Sequence, residues 1–228
     1  VSFISTVGWP KDKENFDKFW IKGTPTQYAG KDNLRQQSAM WQAMLMSANL
    51  PNSHQIIING FINSGGQKMS KSMGNVINPS DMVKKYGIDG TRYLLLRHIN
   101  SFEDTDVTWE RLDEWYNSHL ANGLGNAVSR VMKLSEDNKI VTIHYQFKLE
   151  SHIQDALNNF RLNDAMDFVW QKVQKIDRHI AETKPYEDPI LYKAEIQFLV
   201  QEVKIIAEIL KILMPGTSEK ILNAIKEN

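Results

Sequence analysis

Long helical stripes occupy the second half of the chain. From Trp109 onward, apolar residues recur at a spacing of about 3.6, which predicts amphipathic helices. Because each stripe needs a partner, the pattern predicts an antiparallel helical bundle. Pro215 and Gly216 interrupt the last stripe, and Thr217 is predicted to cap a short final helix. The three stripes are Leu112, Trp115, Leu120, Leu124, Val128 or Val131, and Leu134; Leu162, Met166, Val169, Val173, Ile176 and Ile180; and Ile196, Leu199, Val203, Ile206, Leu210 and Leu213.

The first part of the chain predicts mixed α/β structure. "QIIING", residues 55–60, is a short β-branched run of the kind that is buried in a parallel sheet. Asp32 is a candidate cap for a helix over 33–48. "FINSGGQ", residues 61–67, predicts a hairpin whose two glycines supply positive φ values. This alternation favours part of a doubly wound sheet, in a protein that is mixed but mostly α.

Capping signals mark a helix after the hairpin. Asn78 is predicted to cap it, Pro79 suits its first position, and Gly87 is predicted to end it. A second helix or strand follows around "GTRYLLLRH". The polar acidic stretch 100–108 predicts a domain boundary. The resulting division is 1–77, 78–108 and 109–228.

Composition narrows the function classes. The 228 residues carry no formal net charge, with 42% hydrophobic and 24% charged residues, as in ordinary globular proteins. A dedicated nucleic-acid binder usually has a basic excess, so RNA contact would need a local patch. No apolar run approaches the roughly 20 residues that span a bilayer, which predicts a cytoplasmic protein without a membrane segment. With no cysteine, and six histidines without metal-ligand spacing, we expect no metal site.

The string "GQKMSKSMGN", residues 66–75, carries the candidate chemistry. Lys68 and Lys71 lie three positions apart among glycine, serine and methionine. Long side chains on a permissive backbone can approach phosphates. A lysine that meets charge mainly in the transition state raises the rate of the reaction, not merely the affinity for the nucleotide. The alternative is a solvated hairpin with two ordinary lysines.

"KMSKS" followed by "GN" resembles the second signature of the class I aminoacyl-tRNA synthetases. "GKDNLRQQSAMWQAMLMSANLP", "NGFINSGGQKMSKSMGNVINP", "VKKYGIDGTRYLLLR" and "LANGLGNAVSRVMKL" resemble the methionyl-tRNA synthetases in order and spacing. The resemblance covers roughly residues 1–185. It implies the C-terminal part of a Rossmann-type α/β catalytic domain, a connecting stem-contact region, and an α-helical anticodon-binding bundle.

The resemblance also implies an activity and its substrates. The family activates methionine with ATP, as its Mg²⁺ complex, to methionyl-adenylate and passes methionyl to tRNA(Met). Lys71 would stabilise charge on the pyrophosphate side, with Lys68 beside it. The other implied ATP-binding residues are Gly30, Asp32, Ile62, Ser70 and Ser72, of which Ile62 would offer main-chain contacts to adenine. For Asp32, helix capping alone remains an equal alternative.

Three residues of the helical region are implied anticodon readers. Asn126 and Arg130 stand four apart and share a helix face. Amide and guanidinium groups suit the edges of unpaired bases, here those of the CAU anticodon. Tyr186 in "KPY" holds the place of a stacking aromatic, where tryptophan is commonest. An ordinary surface pair, and a tyrosine in a helix-ending turn, are the alternatives.

The sequence departs from the family pattern in three ways. The His-x-Gly-His signature that binds ATP is absent, so we expect this chain to be the C-terminal half of a larger enzyme. We expect the chain to begin inside a domain and to be inactive alone. Gln36 and Gln37 replace Phe-His beside the methionine side chain. Phe3 replaces a tyrosine of the same pocket. The leucyl, isoleucyl and valyl enzymes therefore remain rivals. A stand-alone tRNA-binding module and a purely structural helical domain are the remaining alternatives.

Overall fold

A computed structural model describes residues 2–140 and 146–227. The chain forms two compact units. Unit 1 comprises Val1–Phe61 and Phe102–Thr105, and unit 2 comprises Ile62–Ser101 and Asp106–Asn228. The three-part division predicted from the sequence stays a prediction.

Unit 1 is built around two parallel strands. Thr26 pairs with Gln55 at one end of the strand pair, and Gly30 pairs with Asn59 at the other, which confirms the predicted parallel strand. Its residues are partly buried. Ile4, Phe16, Trp20, Trp41 and Leu45 form its core. The elements are α1 Ser2–Ser5, α2 Lys13–Phe16 with a π-helical turn Asp17–Ile21, β1 Thr26–Gly30, a 3-10 turn Lys31–Asn33, a π-helical turn Gln36–Met40 leading into α3 Trp41–Ser47, and β2 Gln55–Asn59.

The predicted hairpin opens unit 2. β3 (Ile62–Ser64) and β4 (Gln67–Lys68) are antiparallel, with Ser64 opposite Gln67. Gly65 and Gly66 at the corner have φ values of +63° and +74°. Such values cost glycine little, which explains why two glycines form this turn. A short strand β5 (Thr105–Asp106) precedes the Val107 amide, which donates to the Asn63 carbonyl at 2.9 Å.

Helices form the rest of unit 2. The Asn78 side chain accepts from the Ser80 amide at 2.9 Å, and Pro79 is the first residue of α4, so the predicted start is confirmed. Gly87, with φ of +72°, breaks helical geometry inside α4, and a second helical stretch follows it. The helices are α4 Pro79–His98, α5 Trp109–Trp115, a π-helical stretch Tyr116–Gly125, α6 Asn126–Asp137, α7 Ser151–Asn158, α8 Leu162–Thr183, α9 Lys193–Leu213 and α10 Pro215–Glu227.

The predicted stripes form the core of unit 2. All six members of the third stripe, and all but Leu162 of the second, are buried. In the first stripe Val131 is fully buried, and Val128 packs against the core while remaining partly exposed.

The start of α10 differs from the prediction. The helix begins at Pro215, two residues before Thr217. The Thr217 amide donates to the carboxylate of Asp89 on α4, so a distant side chain caps this helix. Proline suits a first helical position because its missing N–H would have no helical partner there.

Candidate functional site

The carboxyl ends of β1 and β2 lie side by side in unit 1. Gly30 ends β1 opposite Asn59, which ends β2. Asp32 follows within the 3-10 turn, where its carboxylate accepts from the side chain of Asn33 at 3.2 Å. A Cβ on Gly30 would meet an Asp32 carboxylate oxygen at 3.0 Å. In open α/β sheets, ligands bind at this edge, where the chain turns away from the strand ends.

Asn59 is a candidate that the sequence did not reveal. Its amide oxygen is buried and has no hydrogen-bond partner among the described residues. A buried acceptor without a partner costs about 1–3 kcal/mol, so this oxygen is a candidate ligand contact at the strand end. Its position near the end of the predicted strand 55–60 was the available signal.

The predicted amino-acid pocket residues lie in α1 and in the π-helical turn that leads into α3. The ring of Phe3 packs edge-to-face on Trp41, with centroids 5.6 Å apart. Gln37 lies in the π-helical turn before Trp41, and the Gln42 side chain donates to its carbonyl at 2.9 Å. The Gln37 side-chain oxygen and the Trp41 ring N–H are both buried, and neither has a partner within the described part of the chain. Gln36 is exposed in the same turn.

An ion pair holds the turn that follows β1. The ammonium of Lys31, between Gly30 and Asp32, lies 2.5 Å from the carboxylate of Asp104. Asp104 also accepts from the Phe61 amide at 2.8 Å, and the Lys31 ammonium lies 4.5 Å from the centre of the Phe61 ring. The Lys31 hydrogen bond and the Phe61 amide lower the pKa of Asp104, which keeps the carboxylate charged.

The lysine loop lies in unit 2, after the hairpin. Lys68 ends β4, and Lys71 begins a 3-10 turn (Lys71–Met73), although the Lys71 side chain lies outside the described residues. The Ser70 and Ser72 hydroxyls are 3.1 Å apart, and the Met73 amide donates to the Ser70 hydroxyl. The loop is therefore ordered by its own serines.

Asn75 closes this loop across its base. Its side-chain oxygen accepts from the Ser70 amide at 2.9 Å, while its amide group donates to the carbonyls of Ser64 and Lys68, both at 3.4 Å. One side chain thus joins both strands of the hairpin to the start of the loop. Sequence reasoning noted Asn75 only as part of the motif.

Ile62 begins β3 on the other side of the same hairpin. Its side chain is 40% exposed. The amides of Thr105 and Val107 donate to the carbonyls of Phe61 and Asn63, which flank it. Ile62 therefore lies in the central strand of the three-stranded sheet, whose order is β4-β3-β5.

Asn126 and Arg130 lie together at the start of α6. Asn126 is the first residue of this helix, directly after the π-helical stretch, and both side chains are exposed. The Arg130 guanidinium is 3.3 Å from the carboxylate of Asp177 on α8. Burial raises the pKa of Asp177, and the nearby Arg130 opposes that shift. Asp177 is a partner that sequence reasoning did not identify.

Tyr186 lies in the loop after α8. That helix ends at Thr183, and the next residue, Lys184, caps it in a left-handed conformation with φ of +45°. The tyrosine side chain is 53% exposed, so its ring is available for stacking.

The predicted residues divide between the two units. Gly30, Asp32, Phe3, Gln36 and Gln37 belong to unit 1. Ile62, the lysine loop, and the three predicted anticodon readers belong to unit 2. Within the described ranges, no cluster of three His, Cys, Asp or Glu side chains could hold a metal ion. No helix in those ranges combines the length and apolar character needed to cross a membrane.

Comparisons with known proteins agree on one family. Residues 1–132 match the family model described as tRNA synthetases class I (M). The chain is 31% identical to the methionine–tRNA ligase of Fusobacterium nucleatum, over 97% of this chain and 38% of that protein. Identity to the Rickettsia bellii methionine–tRNA ligase is 29%, over 100% of this chain and 48% of that protein.

Solved structures show the same fold. The Mycobacterium tuberculosis methionyl-tRNA synthetase bound by methionyl-adenylate superposes with a TM-score of 0.84 at 23% identity. The match covers 97% of this chain and 48% of that one. The chain thus spans less than half the length of these relatives.

Proposed function

This chain belongs to the class I tRNA synthetases (M), and we propose that it is the portion of a methionine–tRNA ligase that carries the lysine loop and the anticodon-binding helices. The whole protein would activate methionine with ATP to methionyl-adenylate and then transfer methionyl to tRNA(Met). ATP enters as its Mg²⁺ complex. The observation that supports this proposal most directly is the hairpin loop closed by Asn75, in a chain whose first 132 residues match the family.

The lysine loop acts on the phosphates. When the methionine carboxylate attacks the α-phosphate, the bond to pyrophosphate breaks and negative charge moves onto the leaving group. Lys71, with Lys68 beside it, meets that charge as it develops. Ser70 and Ser72 shape the loop, which closes over ATP and opens again for release.

Unit 1 supplies contacts to adenylate and methionine. Gly30 and Asp32 bind the ribose hydroxyls at the carboxyl end of β1, where Lys31 and Asp104 hold the turn. Phe3, Gln36 and Gln37 line the methionine side chain, and the unpaired oxygen of Gln37 supports a ligand-facing role. Main-chain groups at Ile62, in unit 2, contact adenine. The His-x-Gly-His grip on ATP belongs to a part of the protein outside these 228 residues.

The helical unit reads the tRNA anticodon. Asn126 and Arg130 hydrogen-bond to unpaired base edges, and Tyr186 stacks on a base, worth about 1–3 kcal/mol. Asp177 holds the guanidinium of Arg130 in place before the tRNA arrives. The two named ligases, both for methionine, favour methionine over the leucyl, isoleucyl and valyl alternatives.

The Lys71→Ala substitution, made in the full-length protein, tests the proposal. Because Lys71 acts mainly in the transition state, its loss lowers kcat for ATP–pyrophosphate exchange by about 100-fold or more. The KM for methionine changes little. Lys84→Ala, an exposed lysine on α4, is the matched control and retains activity. Equal losses in kcat and methionine affinity would contradict the assigned role.

A further inference from the structure

Asp106, the last residue of β5, contacts the turn of the lysine hairpin. One oxygen of its carboxylate accepts from the Gly66 amide at 2.7 Å. The other faces the guanidinium of Arg111 at 3.4 Å, and the same guanidinium donates to the Asp106 carbonyl at 3.0 Å. The sequence indicated only a polar connector and domain boundary here. All three residues belong to unit 2.

The Gly66 amide occupies the least constrained point of the hairpin. Gly65 and Gly66 both have positive φ, and no described atom lies within 4 Å of where a Cβ on either would be. Packing therefore does not hold this corner, and glycine gives its backbone wide freedom. The hydrogen bond to Asp106 therefore restrains the backbone at Gly66, which side-chain packing does not.

Arg111 connects the same carboxylate to a long helix. Thr108 caps α5 by accepting from the Arg111 amide at 3.3 Å, so Arg111 lies in the first turn. From Trp109 the chain stays helical through the π-helical stretch to Asp137. Asn126 and Arg130 lie further along this helix. Asp106 thus joins the hairpin turn to the start of the helix that carries two predicted anticodon readers.

We propose that Asp106 is a positioning residue for the lysine loop, which acts by anchoring the Gly66 amide to the first turn of α5. The inference rests on the proposed function, because it assigns the loop a task in methionine activation. Lys68 follows Gly66 by two residues, so a shift at the turn moves the loop that follows. Small misplacements of catalytic groups cost about 100-fold in rate.

The experiment compares three substitutions in the full-length protein. Asp106→Ala removes the acceptor. Asp106→Asn keeps an acceptor for the Gly66 amide and removes the charge facing Arg111. Asp81→Ala is the matched control, since Asp81 is an exposed carboxylate of unit 2 that pairs with Lys84. Two quantities are measured, hydrogen exchange of peptides covering 62–77 and the kinetics of ATP–pyrophosphate exchange.

Asp106→Ala is expected to speed exchange in the hairpin by about 10-fold. It is expected to lower kcat by about 10- to 100-fold, with the methionine KM unchanged. Asp106→Asn recovers most of both, and Asp81→Ala matches the unmodified protein. Hairpin exchange that is unchanged in Asp106→Ala overturns the inference. So does an Asn variant as impaired as the Ala variant.

Two further outcomes separate the inference from its premise. Faster exchange throughout α4–α10, with a lower thermal midpoint, would mark a general structural role and overturn positioning. If the unmodified protein shows no ATP–pyrophosphate exchange, the proposed function fails. The hairpin exchange data then still decide whether Asp106 anchors the turn.

Discussion

His98 shows how burial changes the chemistry of one residue. Its ring stacks on Trp115 with centroids 4.3 Å apart and lies 5.4 Å from His119. Its Nε2 is 3.0 Å from the Tyr93 hydroxyl. Burial lowers the pKa of His98 to about 3, and the nearby charges of Arg97 and His119 act in the same direction. His98 is therefore neutral at ordinary pH.

This shift predicts acid sensitivity. An unfolded histidine has a pKa of about 6.5, so below that pH the unfolded chain binds a proton at His98 while the folded chain leaves His98 unprotonated. The stability it contributes is present above about pH 6.5 and falls progressively toward pH 3. Between pH 7 and pH 5, the thermal midpoint of His98→Gln should therefore fall by less than that of the unmodified chain. Equal losses would show that other groups, His119 among them, carry the effect.

At the scale of elements, α10 depends on a residue of α4. The Asp89 carboxylate accepts from the Thr217 amide in the first turn of α10. A carboxylate there accepts a hydrogen bond from an amide that has no helical partner. Its negative charge also interacts favourably with the positive end of the helix dipole. Inside α10, the Ser218 hydroxyl donates to the Ala207 carbonyl of α9 at 2.6 Å. The last helix is thus fixed by contacts that its own sequence does not contain.

Asp89→Ala tests this capping contact. Loss of an N-terminal cap costs about 1 kcal/mol, so the substitution should lower the free energy of unfolding by that amount. Hydrogen exchange should rise first in α10. Thr217→Ala is the matched control, because the Thr217 amide and not its hydroxyl makes the contact. A larger loss in Thr217→Ala would restore the sequence-based capping prediction.

On the scale of the molecule, the proposed chemistry is divided among several parts. Unit 1 holds the predicted ribose and methionine contacts, and unit 2 holds the lysine loop and predicted anticodon readers. The His-x-Gly-His signature does not occur in the 228 residues. In the proposed mechanism, methionine activation needs the lysine loop together with the His-x-Gly-His signature, whereas the anticodon readers act on tRNA.

The 228-residue chain is therefore expected to give no methionine-dependent ATP–pyrophosphate exchange. The protein expressed from its full gene should give ready turnover under the same conditions. The measurement is label exchange between pyrophosphate and ATP, with methionine omitted as the blank. Turnover by the chain alone would show that its residues form a complete active site.

Local sequence determined much of this protein. The hairpin turn follows from two adjacent glycines, and the start of α4 follows from Asn78 and Pro79, because these choices involve neighbouring backbone groups. The buried stripes follow from helical periodicity, which is visible in the spacing of apolar residues along the chain. The lysine signature marked the candidate chemistry because its residues are contiguous.

Tertiary structure decided the contacts that join distant residues. Asp89 and Thr217 are 128 positions apart, and Asp106 and Gly66 are 40 apart, so no local pattern links them. The unpaired oxygen of Asn59 and the pairing of Arg130 with Asp177 likewise depend on which elements pack together. The sequence alone determined the buried helical stripes, the start of α4, the hairpin turn and the motif, because each depends on residues that are near one another in the chain. Only the folded chain decided what holds them in place, because those partners become neighbours through packing.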